Sequence, residues 1–506
     1  MTPHRLLMVD LSGHQLSADE RAFLKEYKVG GICLFRRNFT DRAQTAELTD
    51  ELRDILGQDL LIATDQEGGG VVRALDVPYS PGTMLLGAAD DPDLTRQVAA
   101  ATARGLRALG LNLNFAPDAD VNNNPLNPVI GDRSFGSDPQ QVAKHVVAFV
   151  QGMQAEGIAA TVKHFPGHGD TATDSHLDLP RLEVARERLE TVELVPFRAA
   201  LAAGVACVMS YHGVATALEP DEMPSTLSRR VMTTFLRDDL GFDGVSFTDA
   251  LEMQAIADRH SPTEAVVRAL LAGIDMPIYD VHTGPVSTHE KILQGIDEAL
   301  SAGRLNPREV ERKLERIRRL ARRYPSSSHP EAAWTEGDEE LLNQASRKAV
   351  TVWGDFRPLK PGSSLTVVAA SNQVGGAASD RVESPAQMLA ELLSDQGFEV
   401  TKAFYDRDDI AETRASILEK VAKGGTVLFV STSRTRMGEA EKSFALEVAA
   451  KASNFLHVAL WNPYHVLDLP QPALISFGFR ESSVQAVLEV LTGGEVLGKL
   501  PIDLKV

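Results

Sequence analysis

The sequence is poor in cysteine, in positive charge and in long apolar runs, and each shortage excludes a class of protein. Two cysteines in 506 residues, Cys33 and Cys207, both inside apolar strand-like stretches, exclude a disulfide-stapled fold and read as buried free thiols. No segment approaches the roughly 18 consecutive apolar residues of a membrane-spanning helix. The apolar run from Leu6 to Val9 is broken by Asp10 before it reaches the length of a signal-peptide core. Fifty-one Lys and Arg against 70 Asp and Glu leave a net charge of −19, which repels polyanions. The expectation is a cytoplasmic protein with no membrane and no nucleic-acid partner; its oligomeric state is left open.

What is present is alternation. A chain of this length exceeds one ordinary core, and the first two-thirds repeats a short apolar run ending in polar residues, followed by an amphipathic stretch. The runs are 6–10, 30–35, 60–65, 111–118, 159–164, 205–212, 244–249 and 273–278. Helical patterns lie between them, such as 17–28, which opens on the capping-box sequence Ser17 to Glu20, and 184–203. Eight buried strands alternating with helices predict a (β/α)₈ TIM barrel over residues 1–324, with its site at the C-terminal strand ends. Polar residues gather there: Asp10, Asp65, Asp118, Lys163 with His164, His212 and Asp249.

After the charged helix 307–323, a Pro/Ser stretch within 325–350 reads as a linker. Alternation resumes over 351–506 with runs at 365–370, 426–432, 456–461 and 473–478, and helical patterns at 383–396 and 439–452. Four runs are too few for a barrel, so a smaller αβα sandwich with a mostly parallel sheet is expected.

The densest polar segment is KHFPGHGDTATDSH, residues 163–176. Its Gly and Pro residues force a loop at a strand end, and a purely structural loop has no need of three His, two Asp and a Lys. A metal site is the rival reading, since His164, His168, Asp170 and His176 are competent ligands. Their spacing matches no helical metal motif, and Lys163 would set a positive charge beside the ion, so no metal and no cofactor is expected. Asp249, ahead of ALEMQAIADRH, could alternatively cap a helix, Asp65 a turn, and Arg133 could be an ordinary ion-pairing loop residue.

The 163–176 segment resembles the signature loop of the β-N-acetylglucosaminidase (β-N-acetylhexosaminidase) branch of glycoside hydrolase family 3. DQEGG (65–69), NPVIGDRSFG (127–136), PSTLS (224–228), GFDGVSFTDALEM (241–253), WNPYHVLDLP (461–470) and GKLP (498–501) are similar to further family segments in the expected order. The resemblance implies Asp249 as nucleophile, His176 as acid/base with Asp174 as its partner, and Asp65, Arg133, Lys163 and His164 as sugar-binding residues. Where the family commonly reads D-Q-E-G-G-R, this chain has Gly70 in place of the Arg, with Arg73 nearby.

Those roles are chemically coherent. Retaining glycoside cleavage needs a carboxylate to attack the anomeric carbon and a group that first donates and then accepts a proton. An imidazole with a pKa near 6.5, oriented by a carboxylate, meets the second need. The implied activity is that of a retaining exo-β-N-acetylglucosaminidase acting on small carbohydrates, such as recycled peptidoglycan fragments or chitin oligomers. A β-glucosidase or β-xylosidase of the same family, or a sugar-binding protein without turnover, are the alternatives.

Overall fold

The computed structural model describes residues 2–171, 179–282, 284–325, 327–371 and 384–504. Each of the eight apolar runs carries a strand: β1 Met8–Val9, β2 Gly31–Leu34, β3 Leu61–Thr64, β4 Leu113–Asn114, β5 Ala159–Phe165, β6 Cys207–Ser210, β7 Val245–Ala250 and β8 Met276–Tyr279. Neighbours pair in parallel in sequence order and β1 closes onto β8, so the sheet is a closed barrel. All eight strands lie in one continuous apolar core with the surrounding helices, and both cysteines are buried free thiols within it.

Local sequence sets where the helices begin. Ser17 and Glu20 form the expected reciprocal capping box at Ala18–Tyr27. Four further helices open on a small polar residue followed by proline: Asp91-Pro92, Asp138-Pro139, Ser261-Pro262 and Asn306-Pro307. In each, the capping side chain accepts a backbone N–H of the first turn, while proline sits where no N–H is needed. The pattern at 184–203 is not one helix but two, Arg186–Thr191 and Leu194–Ala202. The break turns Glu193 inward, where it packs against Gly167 and pairs with Arg188 at 3.2 Å.

The second sheet has β9 Thr351–Trp353, β10 Ser364–Ala370, β11 Glu399–Tyr405, β12 Thr426–Ser431, β13 Asn454–Ala459 and β14 Ala473–Ile475, in the order β9-β14-β13-β12-β10-β11. Only β9 pairs antiparallel among these strands. Helices Pro385–Asp395 and Glu481–Leu491 cover one face, and Ile410–Ala422 and Glu439–Lys451 the other, completing an αβα sandwich. Two of the strands had no clear sequence signal. β11 is an edge strand whose EVTKAFY alternation is half exposed, and β9 has three residues.

The 325–350 segment is more than a linker, because it carries a helix, Asp338–Ala349. Ala345 and Ala349 join the barrel's core, and Ser346 donates or accepts a hydrogen bond with Ser482 of the second domain at 2.9 Å. The C-terminal tail also returns to the barrel: Ile502 and Leu504 enter its core, and the Pro501 carbonyl accepts from Ser137 N at 2.9 Å. No described helix is long and apolar enough to cross a membrane.

Candidate active site

At the C-terminal end of the barrel, four of the expected sugar-binding residues converge. Lys163, at the end of β5, is buried and bridges two carboxylates, Asp65 Oδ1 at 2.9 Å and Glu67 Oε1 at 2.5 Å. Burial alone would lower the pKa of this ammonium; Asp65 and Glu67 outweigh it and raise the value. Arg133, on the loop after β4, grips Glu67 with two bonds, Nε to Oε2 at 2.8 Å and Nη2 to Oε1 at 2.9 Å. Burial opposes ionisation of Glu67, but Arg133 and then Lys163 hold its carboxyl well below the ordinary range. Arg133 also reaches His164 Nε2 at 3.3 Å. Arg73 lies 3.6 Å from Asp65, on the same side of the group.

Behind this row is a buried support. Asp120 accepts from His164 Nδ1 at 2.8 Å and from His168 N at 2.7 Å, fixing both ends of the turn between them. His168 Nδ1 bonds Thr171 Oγ1 at 2.7 Å, and Asn127 Nδ2 donates to the His168 carbonyl at 2.8 Å. Burial, with His164 beside it, pushes the pKa of His168 down to about 3, so the ring is neutral. Asp118 shows the opposite response: burial and then the Asp120 charge push its carboxyl well above the usual range. Asp118 Oδ2 and His168 Nε2 are buried without a hydrogen-bond partner among the described residues.

Asp249 stands at the end of β7, half-buried, with Oδ1 accepting from Ala250 N at 2.8 Å. The next peptide is held by His212, whose Nε2 donates to the Ala250 carbonyl at 3.0 Å while Nδ1 bonds Thr226 Oγ1 at 2.7 Å. The 224–228 segment thus braces the strand end that presents Asp249. The charge of Asp249 is felt by both Arg133 and His168. Asp174 and His176 lie outside the described residues.

Among the described residues, two groups of donors have spacing a cation would use, with ligand atoms within 4.8 Å: Asp118, Asp120 and His164, and separately Glu252, Asp280 and His282. In the first, Asp120 already accepts from His164 and His168, and Arg133 stands 3.8 Å from Asp118, a charge that opposes a divalent ion. Of the rival ligand set read from the sequence, His168 is bound to Thr171 and Asp170 pairs with Arg188 at 3.3 Å. Asp10 lies in neither place; with Asp280 it shares Arg37, at 2.6 and 2.9 Å, across the rim.

A row of buried donors and acceptors beside a strand-end carboxylate suits a polyhydroxylated ring. The comparisons agree. The model of the glycosyl hydrolase family 3 N-terminal domain matches residues 4–320. The chain belongs to glycosyl hydrolase family 3. It is a glycoside hydrolase, and within that family it groups with the β-hexosaminidases. A β-hexosaminidase of Tolumonas auensis is 40% identical over 274 residues, 53% of this chain and 81% of that protein. β-Hexosaminidase A of Pseudoalteromonas piscicida is 36% identical over 329 residues, 60% of this chain but only 55% of the relative's length. The solved structure of a family 3 β-N-acetylglucosaminidase from Paenibacillus sp. str. FPU-7 superposes with a TM-score of 0.90 at 35% identity, covering 99% of this chain and 98% of that one.

The family departure at Gly70 has a structural counterpart. A Cβ built there would meet Trp461 Cζ2, from the second domain, at 2.8 Å. An arginine at 70 has no room while Trp461 is in place. Glu67 and Asp120 were not singled out from sequence, although Glu67 sits inside DQEGG and Asp120 two residues beyond the 111–118 run that ends on Asp118.

Proposed function

We propose that this glycoside hydrolase is a retaining exo-β-N-acetylglucosaminidase, with Asp249 as nucleophile, His176 as acid/base and Asp174 as its partner. Asp65, Arg133, Lys163 and His164 bind the sugar. The observation that carries this reading is the Asp65–Lys163–Glu67–Arg133–His164 row, gathered at the same strand-end face of the barrel as Asp249. The resemblance along nearly the whole chain to a solved β-N-acetylglucosaminidase supports the substrate class. In this mechanism the Asp249 carboxylate attacks the anomeric carbon while the His176 imidazolium gives its proton to the leaving oxygen. The neutral imidazole then takes a proton from water, which releases the sugar with its configuration kept.

The substrates fitting an exo-acting site of this kind are small N-acetylglucosaminides, peptidoglycan or chitin fragments, consistent with a cytoplasmic recycling role. A panel of 4-nitrophenyl β-glycosides tests the reading. N-Acetyl-β-glucosaminide is cleaved and β-glucoside and β-xyloside are not, with no loss of turnover in EDTA. Preference for glucoside or xyloside, no turnover at all, or inactivation by EDTA reversed by zinc would each overturn it.

A further inference from the structure

The turn Gly131–Arg133 faces two ways. Arg133 points into the barrel mouth, onto Glu67 and His164. Its neighbour Asp132 points to the second domain and accepts from Trp461 Nε1 at 2.7 Å. Trp461 is almost fully buried, packed against Phe479 with ring centroids 4.1 Å apart and the rings tilted by 33°, and its six-membered ring lies over Gly70. Beside it, Arg480 is buried and donates from Nε and Nη2 to the Gly69 carbonyl at 3.1 and 3.0 Å. Arg434 donates to the Val129 carbonyl, four residues before Arg133. The second domain therefore holds both loops that feed the sugar row, the one bearing Asp65 and Glu67 and the one bearing Arg133, at residues adjacent to the functional ones.

We propose that Trp461 is a positioning residue for the glycosidase reaction, acting through Asp132 to aim Arg133 and through Gly70 to fix the 65–73 loop. The inference rests on the reading of Asp65 and Arg133 as sugar-binding residues. Its physical basis is that an indole N–H bonded to a largely buried carboxylate has a narrow geometry, so rotating the turn would cost that bond and leave Asp132 only Arg434, at 4.0 Å, as a partner in the second domain. Gly70 is the matching concession on the barrel side, since a side chain there would displace the indole. Misplacing a binding group by about 1 Å is enough to cost a large factor in rate.

Wild type is first assayed on the glycoside panel, which decides the activity reading by itself. Variants are then compared with wild type on whichever glycoside it cleaves. Trp461→Phe removes the N–H together with the outer ring atoms that lie over Gly70; Asp132→Ala removes the acceptor; Asp132→Asn retains an acceptor oxygen. The first two lower kcat/KM about tenfold or more, carried mainly by KM and by weaker inhibition by the free product sugar, because Arg133 binds rather than reacts. Asp132→Asn recovers most of that loss. Hydrogen exchange of the 129–135 amides quickens in Trp461→Phe and Asp132→Ala while exchange in β12 and β13 does not. Folded Trp461→Phe and Asp132→Ala proteins with kcat/KM within twofold of wild type would overturn the proposal. So would equal loss in Asp132→Asn and Asp132→Ala. If Trp461→Phe does not fold, the Asp132 pair decides alone, and if wild type cleaves no glycoside, exchange at 129–135 decides.

Discussion

Both ends of the barrel bury a carboxylate between two cations, and the two arrangements serve different purposes. At the N-terminal end, Asp275 accepts from Arg316 at 2.7 Å and 3.0 Å, from Arg237 at 2.5 Å and from Ser246 N at 2.9 Å. Both oxygens are taken, and the network ties the β7 and β8 strands to helix Pro307–Arg323. At the C-terminal end, Glu67 lies between Arg133 and Lys163, but these cations also reach Asp65, His164 and Asp118, and Asp118 Oδ2 and His168 Nε2 are buried without a hydrogen bond among the described residues. Around Asp275 both carboxylate oxygens are saturated and the network is a fastening, although Arg237 Nε also lacks a hydrogen bond among the described residues. Around Glu67 the cations are shared outward over several polar groups, an open network that suits a ligand.

The largest effect expected from breaking this contrast is at Asp249. Asp249→Asn abolishes nearly all turnover, by several orders of magnitude in kcat, while the thermal midpoint stays within a few degrees of wild type, because the residue belongs to the open end. Residual activity within tenfold of wild type would remove it from the chemistry. Next comes His176→Ala, which spares dinitrophenyl glycosides in the first step and penalises poor leaving groups. The intermediate then accumulates, seen as a burst with a lowered KM. Uniform loss over all leaving groups would make His176 a binding residue.

The two networks are then compared directly. Asp275→Ala takes the carboxylate away from Arg316 and from Arg237, which keeps its bonds to Phe242, Gly244 and Ser246, and costs about 3–5 kcal/mol of stability in urea denaturation, with kcat of the folded fraction retained. Glu67→Gln shows the reverse balance, a large loss of kcat/KM with a smaller stability loss. If Asp275→Ala is mainly an activity variant, the contrast between the ends fails.

The smallest effect is in pH dependence. At the rim near Asp249, burial and then Asp280 push Glu252 up to about 8, and burial and then Asp10 push Asp280 up to about 7. A carboxyl raised in the folded state stabilises below its unfolded pKa, and that contribution is lost as pH rises through the folded value. Between pH 7.5 and 8 the buried histidines, held at about 3 to 4 in the fold and near 6.5 when unfolded, are nearly neutral in both states and contribute little slope, whereas towards pH 6.5 their unfolded forms bind protons and oppose the fall. Stability therefore falls across that window, by up to about 1.4 kcal/mol per pH unit for each group. Glu252→Gln flattens the profile, and a wild-type profile already flat would contradict the assignment. Asp275 contributes nothing there, because its arginines outweigh burial and lower its pKa.

The barrel was legible in the sequence because each strand is buried on both faces and reads as a continuous apolar run, and because capping residues mark the helix starts. The sandwich was legible for its central strands only, since an edge strand such as β11 needs no apolar run. The helix Asp338–Ala349 was hidden by the Pro/Ser stretch before it. In the site, Asp65, Arg133, Lys163, His164 and Asp249 gather at one strand-end face, with Asp174 and His176 outside the described residues, whereas Glu67 and Asp120 hold their neighbours and leave no separate sequence signal. The contact of Trp461 with Gly70 joins residues nearly four hundred positions apart, and the only trace in sequence was a glycine where the family commonly has arginine.

The central claim is that Asp249 forms a covalent bond to the sugar at the open end of the barrel. The direct test is to incubate the enzyme with a 5-fluoro N-acetylglucosaminyl donor, digest it and sequence the labelled peptide by mass spectrometry. The account predicts one adduct, on Asp249 within GVSFTDALEM, absent from Asp249→Asn. An adduct on Asp65, Glu67, Asp118 or any other carboxylate, or rapid turnover with inverted configuration and no adduct, would contradict it.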